Sequence, residues 1–264
     1  MSVFDRPFDP ERETAVVTGA GNGIGRAIAQ ALVGEGVRTV FADLTEDRVA
    51  AAIAASPRPE LAVPWFGDLA QRAACDALLA QAAAALGTVT HFVHSAAPPR
   101  READHILAVS DETWERMRAV NVDAGFHLMR ELARPLVAAR VPGSFLVLTS
   151  LHAETPRNLP HYSTAKAALA MLVREFAKSF GRHGIRVNAL VPGAIAAGGF
   201  VADPALARHI PLGRLGKSED LAPMALAILS NRISAYVTGA AFTVDGGLSL
   251  TNWFEPPVLL GWAL

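Results

Sequence analysis

Short apolar runs rich in β-branched residues alternate with longer stretches of helical period along nearly the whole chain. That alternation limits the fold more than any single motif does. Strands are predicted near 15–18, 38–42, 61–66, 89–95, 144–149, 185–191 and 240–244, and helices near 23–34, 45–55, 70–86, 110–139, 160–182 and 218–230. Consecutive strands joined through helices pair in parallel by right-handed crossovers, which place helices on both faces of the sheet. The expectation is an α/β fold, a doubly wound three-layer sandwich around a seven-stranded parallel sheet. With 264 residues, 51% of them hydrophobic, the chain has material for one large core. A single domain over 1–264 is expected, with an N-terminal extension over 1–13 and an apolar tail over 251–264.

In such sheets the loops at the carboxyl ends of the strands carry the ligand. The first of them is Thr18-Gly19-Ala20-Gly21-Asn22-Gly23-Ile24-Gly25, between a short strand and a helix. Glycine there permits a tight turn and a close approach of bare backbone to a pyrophosphate, while the helix N-terminus attracts the anion. A second strand ends at Asp43, eighteen residues after Gly25. In a Rossmann βαβ unit an acid at that place accepts hydrogen bonds from the adenosine ribose and repels the 2′-phosphate of NADP, so NAD is the expected cofactor. Asp43 could instead begin the next helix, with Thr45 as its cap and Glu46 and Asp47 in the first turn. Asp68, the segment from His94 to Ala97, the loop from Ser150 to Pro160 and the segment from Pro192 to Gly199 fall on the same sheet edge.

Charge and cysteine content narrow the partners. Lys and Arg number 24 against 25 acids, a formal net charge of −1, which gives no electrostatic reason to expect nucleic acid or an anionic membrane. A small organic ligand fits better. The lone Cys75, among Ala73, Ala74, Leu78 and Leu79, excludes an internal disulfide and a cysteine-based zinc site and reads as helix packing. The eight histidines include no His-x-x-x-His pair with a glutamate, so no metal is expected. Residues 1–13 lack the apolar core of a signal peptide and no run reaches a membrane span, so a cytoplasmic protein is expected.

The chemistry-bearing set follows the fifth strand. Tyr162 and Lys166 stand at i and i+4 at the start of a long helix, on one face. A nearby ammonium stabilises a phenolate and fits the phenol for proton exchange at neutral pH. Ser150, on the loop leaving the strand, is placed to hydrogen-bond a substrate oxygen.

Together these features resemble the compact single-domain branch of the short-chain dehydrogenase/reductase family, from about Thr14 to Leu248. The family's T-G-x-x-x-G-x-G stands at Thr18 to Gly25, its Y-x-x-x-K at Tyr162 and Lys166, its serine at Ser150 and its asparagine at Asn121. The stretches Val187 to Gly193, Pro211 to Gly216, Thr238-Gly239 and Val244 to Gly247 also match. The resemblance implies hydride transfer between nicotinamide C4 and a carbinol or carbonyl carbon, with Tyr162 exchanging the proton. Lys166 would hold the nicotinamide ribose, and Asn121, through its backbone and a water, would link Lys166 to solvent. It implies cofactor contacts from Gly19, Asn22, Gly23, Ile24, Gly25, Asp43, Leu44, Asp68 (at adenine), Leu69, Ser95, Ala96, Ala97, Pro192, Gly193 and Ile195, as well as from Tyr162 and Lys166. Substrate would meet Ser150, His152, Tyr162 and Gly193. A homotetramer is implied, with helices 110–139 and 160–182 at one interface and the last helix and strand at another.

Three departures stand out. His94-Ser95-Ala96-Ala97 replaces the usual N-N-A-G, and His94 reads as a satisfied buried histidine rather than a catalyst. Ala197 replaces a usual threonine. Ser150 precedes Tyr162 by twelve residues, one fewer than in the commonest loop, which makes Thr149 an alternative. The loop from Ser150 to Asn158 resembles the S-x-H-x-x-x-P loop of some sugar dehydrogenases of the family. His152, Glu154 and Asn158 supply donors and acceptors for a polyhydroxylated substrate. The small apolar run from Ala194 to Val201 would instead suit a steroid, terpenoid or acyl chain. Reduction of 3-oxoacyl thioesters, or NAD sensing without turnover, are the competing expectations. The tail, with Trp253 and Trp262, is expected to pack across a subunit interface.

Overall fold

The computed structural model describes residues 6–99, 106–197 and 204–250. The strands are β1 (Thr14–Thr18), β2 (Arg38–Asp43), β3 (Ala62–Phe66), β4 (His91–His94), β5 (Gly143–Leu148), β6 (Ile185–Pro192) and β7 (Ala241–Val244). Between and after them lie helices α1 (Gly23–Gly34), α2 (Glu46–Ala54), α3 (Arg72–Leu86), α4 (Asp111–Arg118), α5 (Ala124–Ala139), α6 (Pro160–Phe180) and α7 (Ala222–Leu229). All six strand pairings are parallel, in the order β3-β2-β1-β4-β5-β6-β7. The chain order reverses between β1 and β4, and the crevice at such a switch point is where a doubly wound sheet takes its ligand.

Successive side chains of a strand point to opposite faces, and the core divides accordingly. Val16, Phe92, Phe145 and Val187 face Leu78, Leu128 and Leu169 of α3, α5 and α6. Ala15, Val17, Phe41 and Leu146 face Ile28 and Leu32 of α1, Val49 of α2 and Ile228 of α7. Each fully buried side chain of this size contributes about 1.5–3 kcal/mol by leaving water. Cys75 lies in the first of these layers, where burial pushes its thiol up to about 11.

Two features were not legible in the sequence pattern. The expected helix 110–139 is split by a π-turn over Ala119–Asp123, between α4 and α5. The expected helix 218–230 begins as a 3₁₀ turn and is α-helical only over Ala222–Leu229. Residues 6–13 are not loose: Phe8 is buried with its ring edge-on to His91, and Ser230 Oγ donates to the Pro7 carbonyl at 2.5 Å. The end of α7 and the loop after it are pinned by buried Arg186 on β6, which donates to the carbonyls of Ile228, Leu229 and Val237 at 2.9–3.2 Å and to Ser144 Oγ at 2.9 Å. The tail 251–264, and with it the expected interface packing, lies outside the described residues, as do residues 198–201 of the apolar run.

Candidate active site

The carboxyl ends of the strands open into a cleft of about 700 Å³. Its floor is the glycine loop. The chain leaves β1 at Thr18 and turns through Gly19 (φ 71°) and Gly23 (φ 56°) into α1. A Cβ on Gly19 would lie 2.8 Å from the Ala96 backbone nitrogen, and one on Gly25 would strike the Gly19 carbonyl oxygen. Glycine is therefore required for loop and helix to pack this closely. Asn22 caps α1 by accepting from Gly23 N at 2.7 Å, and no acid sits in the first turn. The positive end of the helix dipole is left un-neutralised toward the cleft, as an anion site requires.

Asp43 belongs to this loop rather than to the helix after it. Its Oδ2 accepts from Gly21 N at 2.9 Å and its Oδ1 from Leu44 N at 2.7 Å, while Thr45 heads α2 without a side-chain cap bond. Arg48, in the first turn of α2, stands 3.8 Å from the carboxylate and also lines the cleft. On the neighbouring strand end, Asp68 accepts from Ala70 N at 3.0 Å and from both Arg116 η-nitrogens at 2.9 and 3.2 Å. The guanidinium holds the Asp68 carboxyl below its usual range. Leu44 is exposed at the same end, whereas the Leu69 side chain is buried in the core.

At the far end of the cleft the catalytic candidates converge. Ser150 is buried in extended backbone, and its Oγ accepts from His152 N at 3.2 Å, so its O–H remains a donor. The alternative, Thr149, turns its hydroxyl to the Leu190 carbonyl at 3.3 Å. Tyr162 sits in the first turn of α6, started by Pro160 at its N-terminus. Lys166, one turn on, is only 3% exposed; its Nζ donates to the Leu148 carbonyl at 2.8 Å and lies 5.6 Å from the centre of the Tyr162 ring. The His152 ring meets the same tyrosine edge-on at 6.2 Å.

Asn121 occupies the π-turn behind Lys166. Its Nδ2 donates to the Met117 carbonyl at 3.0 Å, and its own backbone oxygen is met by His94 Nε2 at 3.0 Å. The other ring nitrogen of His94 lies 3.0 Å from Thr18 Oγ1. A carbonyl only accepts, so Nε2 carries the proton and Nδ1 accepts from Thr18; Thr18 Oγ1 in turn accepts from Ser95 N and Ala96 N at 3.2 and 3.3 Å. Burial, with the Lys166 charge, pushes His94 down to about 4. It is a neutral, satisfied structural histidine, as its sequence context suggested, and it ties the glycine loop to the Asn121 turn. Gly125 makes room for it, because a Cβ there would lie 3.0 Å from the imidazole.

The remaining wall is formed by β6 and the segment after it. Gly193 N donates to the Val244 carbonyl at 3.1 Å, and its bare Cα packs on Asp245, 2.5 Å from where a Cβ would stand. Ile195 is nearly buried beside Gly216 and lines the cleft with Ala194 and Ala197. Gly19, Asn22, Gly23, Ile24, Ser95, Ala96, Ala97 and Pro192 line the same cleft. Sequence reasoning missed Arg48, Arg116, Arg157 and Leu206, which line it as well. Arg157 is exposed beside Asn158, whose φ of 52° turns the loop sharply.

The profile of the family described as Enoyl-(Acyl carrier protein) reductase matches residues 19–249. A (3R)-3-hydroxyacyl-CoA dehydrogenase of Mus musculus is 34% identical over 250 residues, covering 89% of this chain and 95% of that protein. A glucose 1-dehydrogenase of Gluconobacter oxydans is 32% identical over 252 residues, covering 91% and 93%. The crystal structure of a gluconate 5-dehydrogenase from Burkholderia cenocepacia, in complex with NADP and tartrate, superposes with a TM-score of 0.85 at 28% identity, over 95% of this chain and all of that one.

Proposed function

The chain belongs to the short-chain dehydrogenase/reductase family, enzymes acting on CH–OH groups, and from that premise we propose an NAD-linked oxidoreductase of small hydroxylated molecules. The observation that carries this reading is the placement of Ser150, Tyr162 and Lys166 at one end of a cleft whose other end is a glycine loop closed by Asp43. The glycine loop and the N-terminus of α1 would hold a pyrophosphate, and Asp43 the adenosine ribose hydroxyls. Its charge opposes a 2′-phosphate, which favours NAD over NADP.

When bound, a nicotinamide would supply the hydride acceptor in one direction and the donor in the other. Ser150 donates its O–H to the substrate oxygen and holds it against Tyr162, which takes the alcohol proton or returns it to the carbonyl oxygen. The Lys166 ammonium stabilises the phenolate and orients the nicotinamide ribose. The Asn121 backbone carbonyl, met by His94 Nε2, would also hold a water leading from Lys166 to solvent. Gly193 and His152 border the substrate. Among the described residues no helix is long and apolar enough to cross a membrane. A homotetramer built on α5 and α6 accords with the exposure of Phe126 and Met171 on those helices.

Two substrate classes are supported by different observations. The polar loop carrying His152 and Arg157 suits a polyol, sugar or aldonate, and the likeness to glucose and gluconate dehydrogenases agrees with it. The likeness to hydroxyacyl-CoA dehydrogenases favours a 3-hydroxyacyl thioester. Initial rates at 340 nm with NAD and NADP in parallel, against sugars, aldonates and (3R)-3-hydroxyacyl-CoA, decide between them. NAD-linked turnover of a polyol or aldonate supports the first class, and turnover of the thioester alone replaces it with the second. A preference for NADP in all cases overturns the assignment to Asp43.

A further inference from the structure

The purine end of the cleft is built from a mixed pair rather than from a lone acid. β2 and β3 are neighbours, and Gly67 N donates to the Asp43 carbonyl at 3.0 Å, so Asp68 lies immediately beyond Asp43 along the sheet edge. A ribose on Asp43 puts its base there, between Leu44, Leu69, Val120 and the Asp68–Arg116 pair, all of which border the cleft. The pair is bidentate, at 2.9 and 3.2 Å, and both side chains are partly exposed to the cleft. Asp68 Oδ1 already accepts from Ala70 N and from Arg116, and Oδ2 from Arg116. A carboxylate has about four lone-pair sites, so one acceptor site remains, on an oxygen whose charge a guanidinium already neutralises. Arg116 spends two of its five N–H donors on Asp68 and keeps the other three on the same planar guanidinium.

We propose that the Asp68–Arg116 pair makes the purine edge of this site ambivalent: the acid accepts from a 6-amino group, the guanidinium donates to a 6-oxo group, and the site binds adenine and hypoxanthine dinucleotides alike. This rests on the reading of the cleft as a dinucleotide site. A lone carboxylate aimed at the 6-position would favour adenine, because a 6-oxo group offers it no hydrogen there and brings two acceptors face to face, and the hypoxanthine N1–H, one atom away, is served only if the base shifts. Arg116 removes that selection by supplying the missing donor and by weakening the acid as an acceptor.

Calorimetric titration of the full chain with NAD and with nicotinamide hypoxanthine dinucleotide reads this without turnover. The two dissociation constants are expected to agree within about threefold, and a tenfold or greater preference for NAD in the unsubstituted chain overturns the inference. In Arg116→Met the acid is released from its partner, and the preference for NAD is expected to rise at least tenfold, with the loss falling on the hypoxanthine form. An unchanged ratio in that variant also overturns the inference. If neither dinucleotide binds but their 2′-phosphorylated forms do, the same ratio is read on those, and only the cofactor assignment from Asp43 is lost. If no dinucleotide binds at all, the proposed function fails, and this inference with it.

Discussion

The two ends of the cleft are made of different material. At the dinucleotide end the shape comes from backbone: Gly19 against Ala96, Gly25 against Gly19, and Asp43 accepting from Gly21 N. Behind that end a buried chain of hydrogen bonds runs from Ser95 and Ala96 through Thr18 and His94 to Asn121. At the substrate end the wall includes His152 and Arg157 on an exposed loop, whereas Glu154 and Asn158, expected from sequence to meet the substrate, are open to solvent and do not border the cleft. Its far wall is tied by an isolated bridge between Ile195 and Gly216. Backbone packed without space for a Cβ cannot drift, whereas exposed loop side chains exchange at little cost to stability. On the proposed reading, the rigid end holds the cofactor and the loose loops beside Ser150, Tyr162 and Lys166 select the substrate.

That contrast can be attacked in order of expected effect. Gly25→Ala puts a methyl on the Gly19 carbonyl; it is expected to cost about 1–3 kcal/mol of stability through overpacking. Thermal melting reads that loss, and calorimetry is expected to show NAD affinity falling by about two orders of magnitude. A chain that kept native melting and native affinity would show that the rigid end tolerates what a loop tolerates.

Asp43→Ser comes next. Hydrogen bonds to a charged group are worth about 1.5–3 kcal/mol, so the ratio of NAD to NADP affinity is expected to fall about ten- to hundredfold, measured as two dissociation constants. An unchanged ratio would move cofactor choice to Arg48.

At the substrate end the effects are smaller and differently distributed. Arg157→Ala is expected to raise KM for an anionic substrate several-fold while leaving NAD affinity and melting temperature where they were. A change in NAD affinity instead would mean that the two ends are coupled. The smallest effect belongs to Asp220, held by Arg214 at 2.6 and 3.0 Å on the surface and depressed to about 2 by that hydrogen bond and by Lys217 N. Its carboxyl is more acidic folded than unfolded, so its stabilising contribution is present above the unfolded value near 4 and is lost as pH falls toward 2. In Asp220→Asn the fall in melting temperature between pH 5 and pH 3 is expected to be slightly shallower.

The same division explains what could be read from sequence. Strand–helix alternation fixes seven parallel strands because the crossover rule leaves few alternatives, and the glycine loop is legible because only glycine fits where it is used. Tyr162 and Lys166 are legible because helical spacing alone places them on one face. The π-turn at Asn121 is not, since it accompanies a contact with His94, twenty-seven residues earlier in the chain. The engagement of Asp68 by Arg116 spans forty-eight residues, and neither residue signals the other. Residues 6–13 read as a polar extension, yet Phe8 is buried against His91, which no local pattern announces. Local chemistry was visible, and long-range polar pairing was not.

The central claim is that Tyr162 moves the proton at a site whose dinucleotide end works independently of it. The most direct test is Tyr162→Phe, with NADH binding followed by fluorescence and turnover by absorbance at 340 nm in the same preparation. Binding within about twofold of the unsubstituted chain, with turnover lowered about 10²–10⁴-fold as expected for removal of a general acid–base, is the result this account requires. Turnover that survives the substitution, or binding that is lost along with it, contradicts it.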